Sequence, residues 1–271
     1  MGPFRVVVRR GGTVEAVHHV HVASDEGLVA GDDVVSHLRS AAKPLQAIPL
    51  LEAYDDLGDD ELAIACASHQ AEPAQLGAVR KLLARASATV DDLENGPQEG
   101  RPEGKLGHNC SGKHAGFLAA CRANGWPFAG YRLPGHPLQL RIRELVGGGE
   151  PAIDGCGIPT YAQPLTEQAR LLLRTPERIA DAMRARPDLV GGAGAEDTAL
   201  MRALPGFLAK RGAEGLLCAV SPAGRGYAFK VEDGNGRALR PAVAAVLGLE
   251  SFERVPIENS RGELVGEIAV G

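Results

Sequence analysis

The sequence predicts an α+β fold of the α/β-sandwich kind, with an antiparallel sheet built from both termini around a helical middle. Three observations carry this. β-branched and alternating runs lie at residues 4–30 and again at 215–232 and 254–270, while proline-led helical patterns fill 41–204. No internal repeat or low-complexity tract divides the two, so residues 1–271 read as one domain. Its hydrophobic fraction of 44% is enough for a packed core.

In chain order, Phe4 to Arg10 carries Val6-Val7-Val8, and Gly11-Gly12 is a turn signal. Val14, Ala16, Val20 and Val22 then alternate, so the start reads as a β-hairpin. Gly27 to Ala30 fits a further short strand. Helical patterns run over 41–53 and 73–86, the second with Leu76, Val79, Leu82 and Leu83 on one stripe. Residues 91–105 are polar and turn-rich, a loop. Further helices fit 112–124, 137–146, 164–174, 176–185 and 196–204. Four of the seven begin with proline in or near the first turn, where its missing N–H costs nothing; Asn124-Gly125 supplies a C-cap. Strands return at 215–221 and 226–232. The Asp233-Gly234-Asn235-Gly236 turn, a short helix after Arg240 and an extended end over 254–270 complete the chain.

Charge and composition exclude several function classes. The 29 Lys plus Arg against 34 Asp plus Glu give a net charge of −5, with no basic stripe for phosphate neutralisation, so no nucleic-acid partner is expected. No apolar run approaches a membrane span, and Met1-Gly2-Pro3-Phe4-Arg5 has no basic-then-apolar leader. Five cysteines (66, 110, 121, 156, 218) are an odd number in a leaderless chain, which favours reduced thiols or metal ligands over a disulfide framework. A cytoplasmic protein without membrane contact is expected. Only six of the cations are lysines, at 43, 81, 105, 113, 210 and 230. In so arginine-rich a chain, a lysine is favoured where a base must lose its proton, which arginine cannot do.

Four segments could carry chemistry. In Ser40-Ala41-Ala42-Lys43, a three-residue helical step sets Lys43 one turn along from Ser40, where a neutral amine can take the hydroxyl proton. Ser-x-x-Lys enzymes use this arrangement; without it the pattern is a cap beside a solvated cation. Ala65-Cys66-Ala67-Ser68-His69 leads small residues into a Ser-His pair, otherwise an N-cap for the Pro73 helix. His108-Asn109-Cys110-Ser111-Gly112-Lys113-His114 fails as a phosphate loop because His114 stands where a magnesium-binding hydroxyl belongs. As a zinc site it offers Cys110 with His114 or His108, and Cys156 in Asp154-Gly155-Cys156-Gly157 as a distant thiolate. A capped helix with incidental thiols is the plain alternative. Phe229-Lys230-Val231 puts one of the six lysines in a late strand, where an edge cation facing solvent is the ordinary reading.

Together these segments resemble the asparaginase II family, typified by the inducible rhizobial asparaginase. The resemblance rests on Leu38-Arg39-Ser40-Ala41-Ala42-Lys43-Pro44-Leu45-Gln46, Cys66-Ala67-Ser68-His69, His108 to Gly116, Asp154 to Pro159 and the closing Asn259 to Glu267. It covers nearly the whole chain in order, and its most specific block is His-Asn-Cys-Ser-Gly-Lys-His. This chain is shorter than those relatives, and its Gln70-Ala71-Glu72 differs from their Ser-Gly-Glu.

The likeness implies a serine β-lactamase/glutaminase-like fold, a homodimer, and hydrolysis of the L-asparagine side-chain amide to aspartate and ammonia. It implies two catalytic Ser-Lys pairs, Ser40 with Lys43 and Ser68 with Lys230, and Zn2+ held by Cys110, Lys113 and Cys156 with Asp154 nearby. Lys113 is unexpected from chemistry alone, because an ammonium cannot coordinate a metal and the amine would have to be neutral. The expected chemistry is acyl transfer: Ser40 attacks with Lys43 as base, Ser68 and Lys230 relay protons, and Arg39 and Asp154 meet the substrate. A glutaminase, another Ser-Lys amidohydrolase and a non-enzymatic zinc-stabilised binding domain are the alternatives. A penicillin-interacting enzyme should carry Ser-Asp-Asn and Lys-Thr-Gly, and neither string occurs.

Overall fold

A computed structural model describes residues 1–271. Phe4–Arg10 (β1) and Thr13–Ser24 (β2) form the expected hairpin about Gly11-Gly12. Gly27–Ala30 (β3) folds back beside the end of β2. Val35–His37 (β4), Ala152–Ile153 (β5), Pro159–Thr160 (β6) and Ala162–Pro164 (β7) are short, pairing β4 with β7 and β5 with β6. Leu208–Arg211 (β8), Leu216–Val220 (β9), Gly226–Val231 (β10), Arg254–Glu258 (β11) and Leu264–Val270 (β12) complete an eight-stranded antiparallel sheet. Its order is β11-β12-β1-β2-β10-β9-β8, with β3 added beside β2. The first and last strands are neighbours, Val6 opposite Val270 and Val8 opposite Ile268, so the sheet draws on both termini as expected.

The helical middle departs from the sequence reading where proline acts. The helix expected over 41–53 is three pieces: a 3-10 turn at Arg39–Ala42, then Lys43–Gln46 and Ile48–Ala53. Pro44 and Pro49 each sit in the first turn of a piece, and a residue without an N–H restarts the ladder rather than continuing it. The helix expected from Pro164 starts at Leu165, because Pro164 ends β7. The helix Asp59–Ala65 and strand β8 have no counterpart in the sequence reading. No helix is long and apolar enough to cross a membrane.

One close approach positions the site. The helix Ser111–Asn124 lies among the helices Ile48–Ala53, Asp59–Ala65 and Pro73–Arg85. A Cβ on Gly112 would stand 2.2 Å from the Ile64 carbonyl oxygen, so only glycine lets this helix start touch the end of Asp59–Ala65. The segment leaving that helix is held beside the start of Ser111–Asn124, the His69 N–H donating to the Asn109 carbonyl at 3.1 Å. Seventy-one buried residues form a single hydrophobic cluster drawing on the sheet and these helices.

Candidate active site

Ser68 is the hub. Its N–H donates to the Val190 carbonyl, which fixes the backbone, and its Oγ lies 3.0 Å from Lys43 Nζ and 3.2 Å from Lys210 Nζ. Both amines are fully buried. Lys43 also donates to the Ala67 carbonyl, and burial pulls its pKa from 10.5 down to about 8, with the Lys113 and Lys210 charges pushing the same way. Lys210 ion-pairs with Asp197 at 2.8 Å, neither side chain being exposed. Burial lowers the Lys210 pKa, and the Asp197 carboxylate opposes that. Burial alone would raise Asp197, but Lys210 and Arg211 together hold it below the usual carboxylate range. The result is one amine whose pKa falls to about 8 and one paired with a carboxylate, on a single hydroxyl.

Ser40 stands in the 3-10 turn Arg39–Ala42, where Arg39 takes a left-handed φ of 46°. Its hydroxyl makes no hydrogen bond within the protein and lines a cavity of about 180 Å³. Gln98, His108, Cys110, Asp154 and Cys156 share that wall. Arg39 donates to Asp154, whose carboxylate also accepts the Gly155 N–H. The cavity thus presents a free hydroxyl, a guanidinium–carboxylate pair and two sulfurs.

The sulfurs neighbour each other, beside an amine. Cys110 precedes the helix Ser111–Asn124, Lys113 is one turn in, and Cys156 comes from the Asp154–Gly157 turn, with Lys113 Nζ 3.0 Å from Cys156 Sγ. A hydrogen bond from Cys156 and the Lys43 and Lys113 charges hold the Cys110 thiol well below its usual range, whereas Cys156 is pushed up. Burial would lower Lys113, but the facing sulfurs raise it. No three histidine, cysteine or carboxylate side chains converge closely enough to hold a metal ion. Two sulfurs and a nitrogen are donor types that zinc accepts, and Lys113 could serve only after losing the proton that the facing sulfurs favour.

Of the two histidines favoured on chemical grounds, His114 faces away from the cavity and His108 borders it. His114 Nδ1 meets the Tyr131 hydroxyl at 2.7 Å, and burial holds the ring well below the usual histidine range, hence neutral. His108 Nδ1 accepts the Cys110 N–H, and its ring borders the cavity. His69 is unavailable as a base. Its Nδ1 accepts the Ala71 N–H, its Nε2 meets Ser111 Oγ, and burial takes its pKa down to about 3.

Lys230 does not join Ser68. Its Nζ donates to the carbonyls of Glu214 and Val231, and Lys210 occupies the place expected for it. The sheet relates the two lysines. Lys210 opposes Cys218, and Cys218 opposes Ala228, so Lys210, Ala228 and Lys230 share one face. Lys230 is nevertheless two strands over and two residues along, about 12 Å away at ordinary strand spacing and rise. Nor is Lys43 hydrogen-bonded to Ser40; its partner is Ser68. The sequence reading missed Lys210 and Asp197. Their only signals were the scarcity of lysine and the apolar Leu208-Ala209 before Lys210.

The family profile of L-asparaginase II matches residues 6–270. The chain therefore belongs to the L-asparaginase II family, whose membership makes it an asparaginase-like amidohydrolase acting on a small molecule. No curated protein matches the chain.

Proposed function

We propose that the protein hydrolyses the side-chain amide of L-asparagine to aspartate and ammonia through an acyl-enzyme on Ser40. The carrying observation is the convergence of Lys43 and Lys210 on Ser68 Oγ, with Lys43 three residues along from Ser40, whose unpartnered hydroxyl lines the cavity. Ser40 is the accessible hydroxyl, while Ser68 is 5% exposed and already engaged by two amines. Ser40 attacks the amide carbon, and its proton goes to Lys43 in the neutral form by way of Ser68, which is already hydrogen-bonded to Lys43. Lys210, paired with Asp197, donates to Ser68 and fixes the direction of that link. Ammonia leaves with the proton returned from Lys43, and water then releases aspartate from Ser40.

Arg39 and Asp154, on the cavity wall, suit the two charged ends of an amino acid: guanidinium toward carboxylate, carboxylate toward ammonium. Cys110, Lys113 and Cys156 would hold zinc, which when bound would neutralise the sulfurs and orient the amino-acid end of the substrate. The protein is read as a single catalytic domain of serine β-lactamase/glutaminase-like fold, acting as a cytoplasmic homodimer. Ammonia release by the purified chain from asparagine, glutamine and a penicillin tests the substrate. Asparagine should exceed glutamine in kcat/KM by at least tenfold, since one extra methylene displaces the amide from a fixed nucleophile. Equal values would leave a general amidohydrolase, and no release from any of the three would favour a binding domain.

A further inference from the structure

Away from that cavity, a groove of about 170 Å³ is lined by His21, Val34, Val35, Ser36, Lys230 and Glu232. None of these residues borders the Ser40 cavity. We propose that this groove is a second binding site, for the zwitterionic backbone of a free α-amino acid.

His21 and Lys230 oppose each other across β2 and β10, so their side chains stand together on one face. His21 is 5% exposed, and its Nδ1 accepts the Asp32 N–H at 2.9 Å. The ring proton therefore lies on Nε2, which has no partner in the protein. The ring is held in place, since a Cβ on Gly31 would stand 2.4 Å from Nδ1. A buried, immobilised N–H without an acceptor is a donor for a ligand.

Lys230 supplies the charge. Its Nζ spends two N–H groups on the carbonyls of Glu214 and Val231, leaving the third, and no carboxylate lies within ion-pair distance. Two residues beyond Lys230 in the chain, Glu232 carries the opposite sign, paired only with His19 at 3.3 Å. A carboxylate would meet Lys230 and His21, and an ammonium would meet Glu232. A simple anion would be repelled by Glu232 and a simple amine by Lys230, so a ligand with both groups fits best. Val34 and Val35 give an apolar wall, and Ser36 adds a hydroxyl.

The test is a glycine titration of the full chain labelled with ¹⁵N-histidine, followed by NMR. Glycine has the two charged groups and no side-chain amide. The His21 resonances are identified by their loss in His21→Gln, and His108 reports separately on the catalytic cavity. Glycine should move the His21 signals along a saturable one-site curve. Lys230→Met and Glu232→Gln should each weaken that response at least tenfold and leave the His108 response unchanged. The remaining histidine signals check that the variants are folded. An unmoved His21, a response to acetate or methylamine as strong as to glycine, or an undiminished response in Lys230→Met would each overturn the proposal.

Discussion

Exchanging Lys210 and Lys230 for methionine, one at a time, separates the lysine that serves Ser68 from the one that does not. Lys210 and Asp197 are wholly enclosed, so Lys210→Met leaves a carboxylate stranded in the interior. Breaking a buried pair from one side costs about 3–5 kcal/mol. Asp197 keeps the Arg211 N–H at 3.2 Å and the Arg211 guanidinium at 3.9 Å, which puts the loss near the lower end. For a chain of 271 residues, about 3 kcal/mol corresponds to a fall in Tm of about 5 °C. Lys230→Met removes two hydrogen bonds from a half-buried amine whose carbonyl partners can turn to water, for about 1 kcal/mol or less. Thermal unfolding and ammonia release from asparagine are read on the same preparations. Lys210→Met should lose stability and at least tenfold in kcat, and adding Asp197→Asn should restore most of the stability but not the rate. Lys230→Met should keep its rate within about twofold. An active Lys210→Met beside an inactive Lys230→Met would refute the assignment of Lys210 to Ser68.

The pH profile follows from Lys43. It acts as base only when neutral, so kcat/KM should rise through about pH 8 and level off above it. Lys43→Arg should be as inactive as Lys43→Ala, because a guanidinium accepts no proton; substantial activity in the arginine variant would reduce Lys43 to a fixed charge. Between about 8 and 10.5 the unfolded chain binds more protons at Lys43 than the folded one, so this group makes stability rise with pH there, a trend visible in urea midpoints. For the metal, elemental analysis should find about one zinc per chain. Cys110→Ala, Cys156→Ala and Lys113→Met should each lose most of it, and His114→Gln should retain it. Loss in the His114 variant with retention in the Lys113 variant would reverse the ligand set.

The sheet was legible because its strands announce themselves twice over, by β-branched runs and by turn glycines. Phe4–Arg10 and Gly27–Ala30 lie where the pattern put them. The broken helix after Arg39 was less so, since apolar periodicity runs unbroken through Pro44 and Pro49 while the backbone does not. Strand β8, Leu208–Arg211, has no β-branched residue to mark it as a strand, and it carries the lysine that mattered. Lys230 was carried over from the family resemblance; strand parity puts both lysines on one face, and only the strand order separates them. Asp197 was illegible for another reason. It reads as an acidic residue in the first turn of a helix, a common surface preference, and nothing local marks it as the buried partner of Lys210.

The most direct measurement of the central claim is mass spectrometry of peptides from the enzyme quenched during turnover of a slow β-aspartyl substrate, such as the β-hydroxamate of aspartate. An acyl group on the peptide carrying Ser40, absent in Ser40→Ala and accumulating when Lys210→Met slows its release, is the predicted result. An adduct on Ser68 with Ser40 unmodified would contradict it and make Ser68, held between its two lysines, the nucleophile.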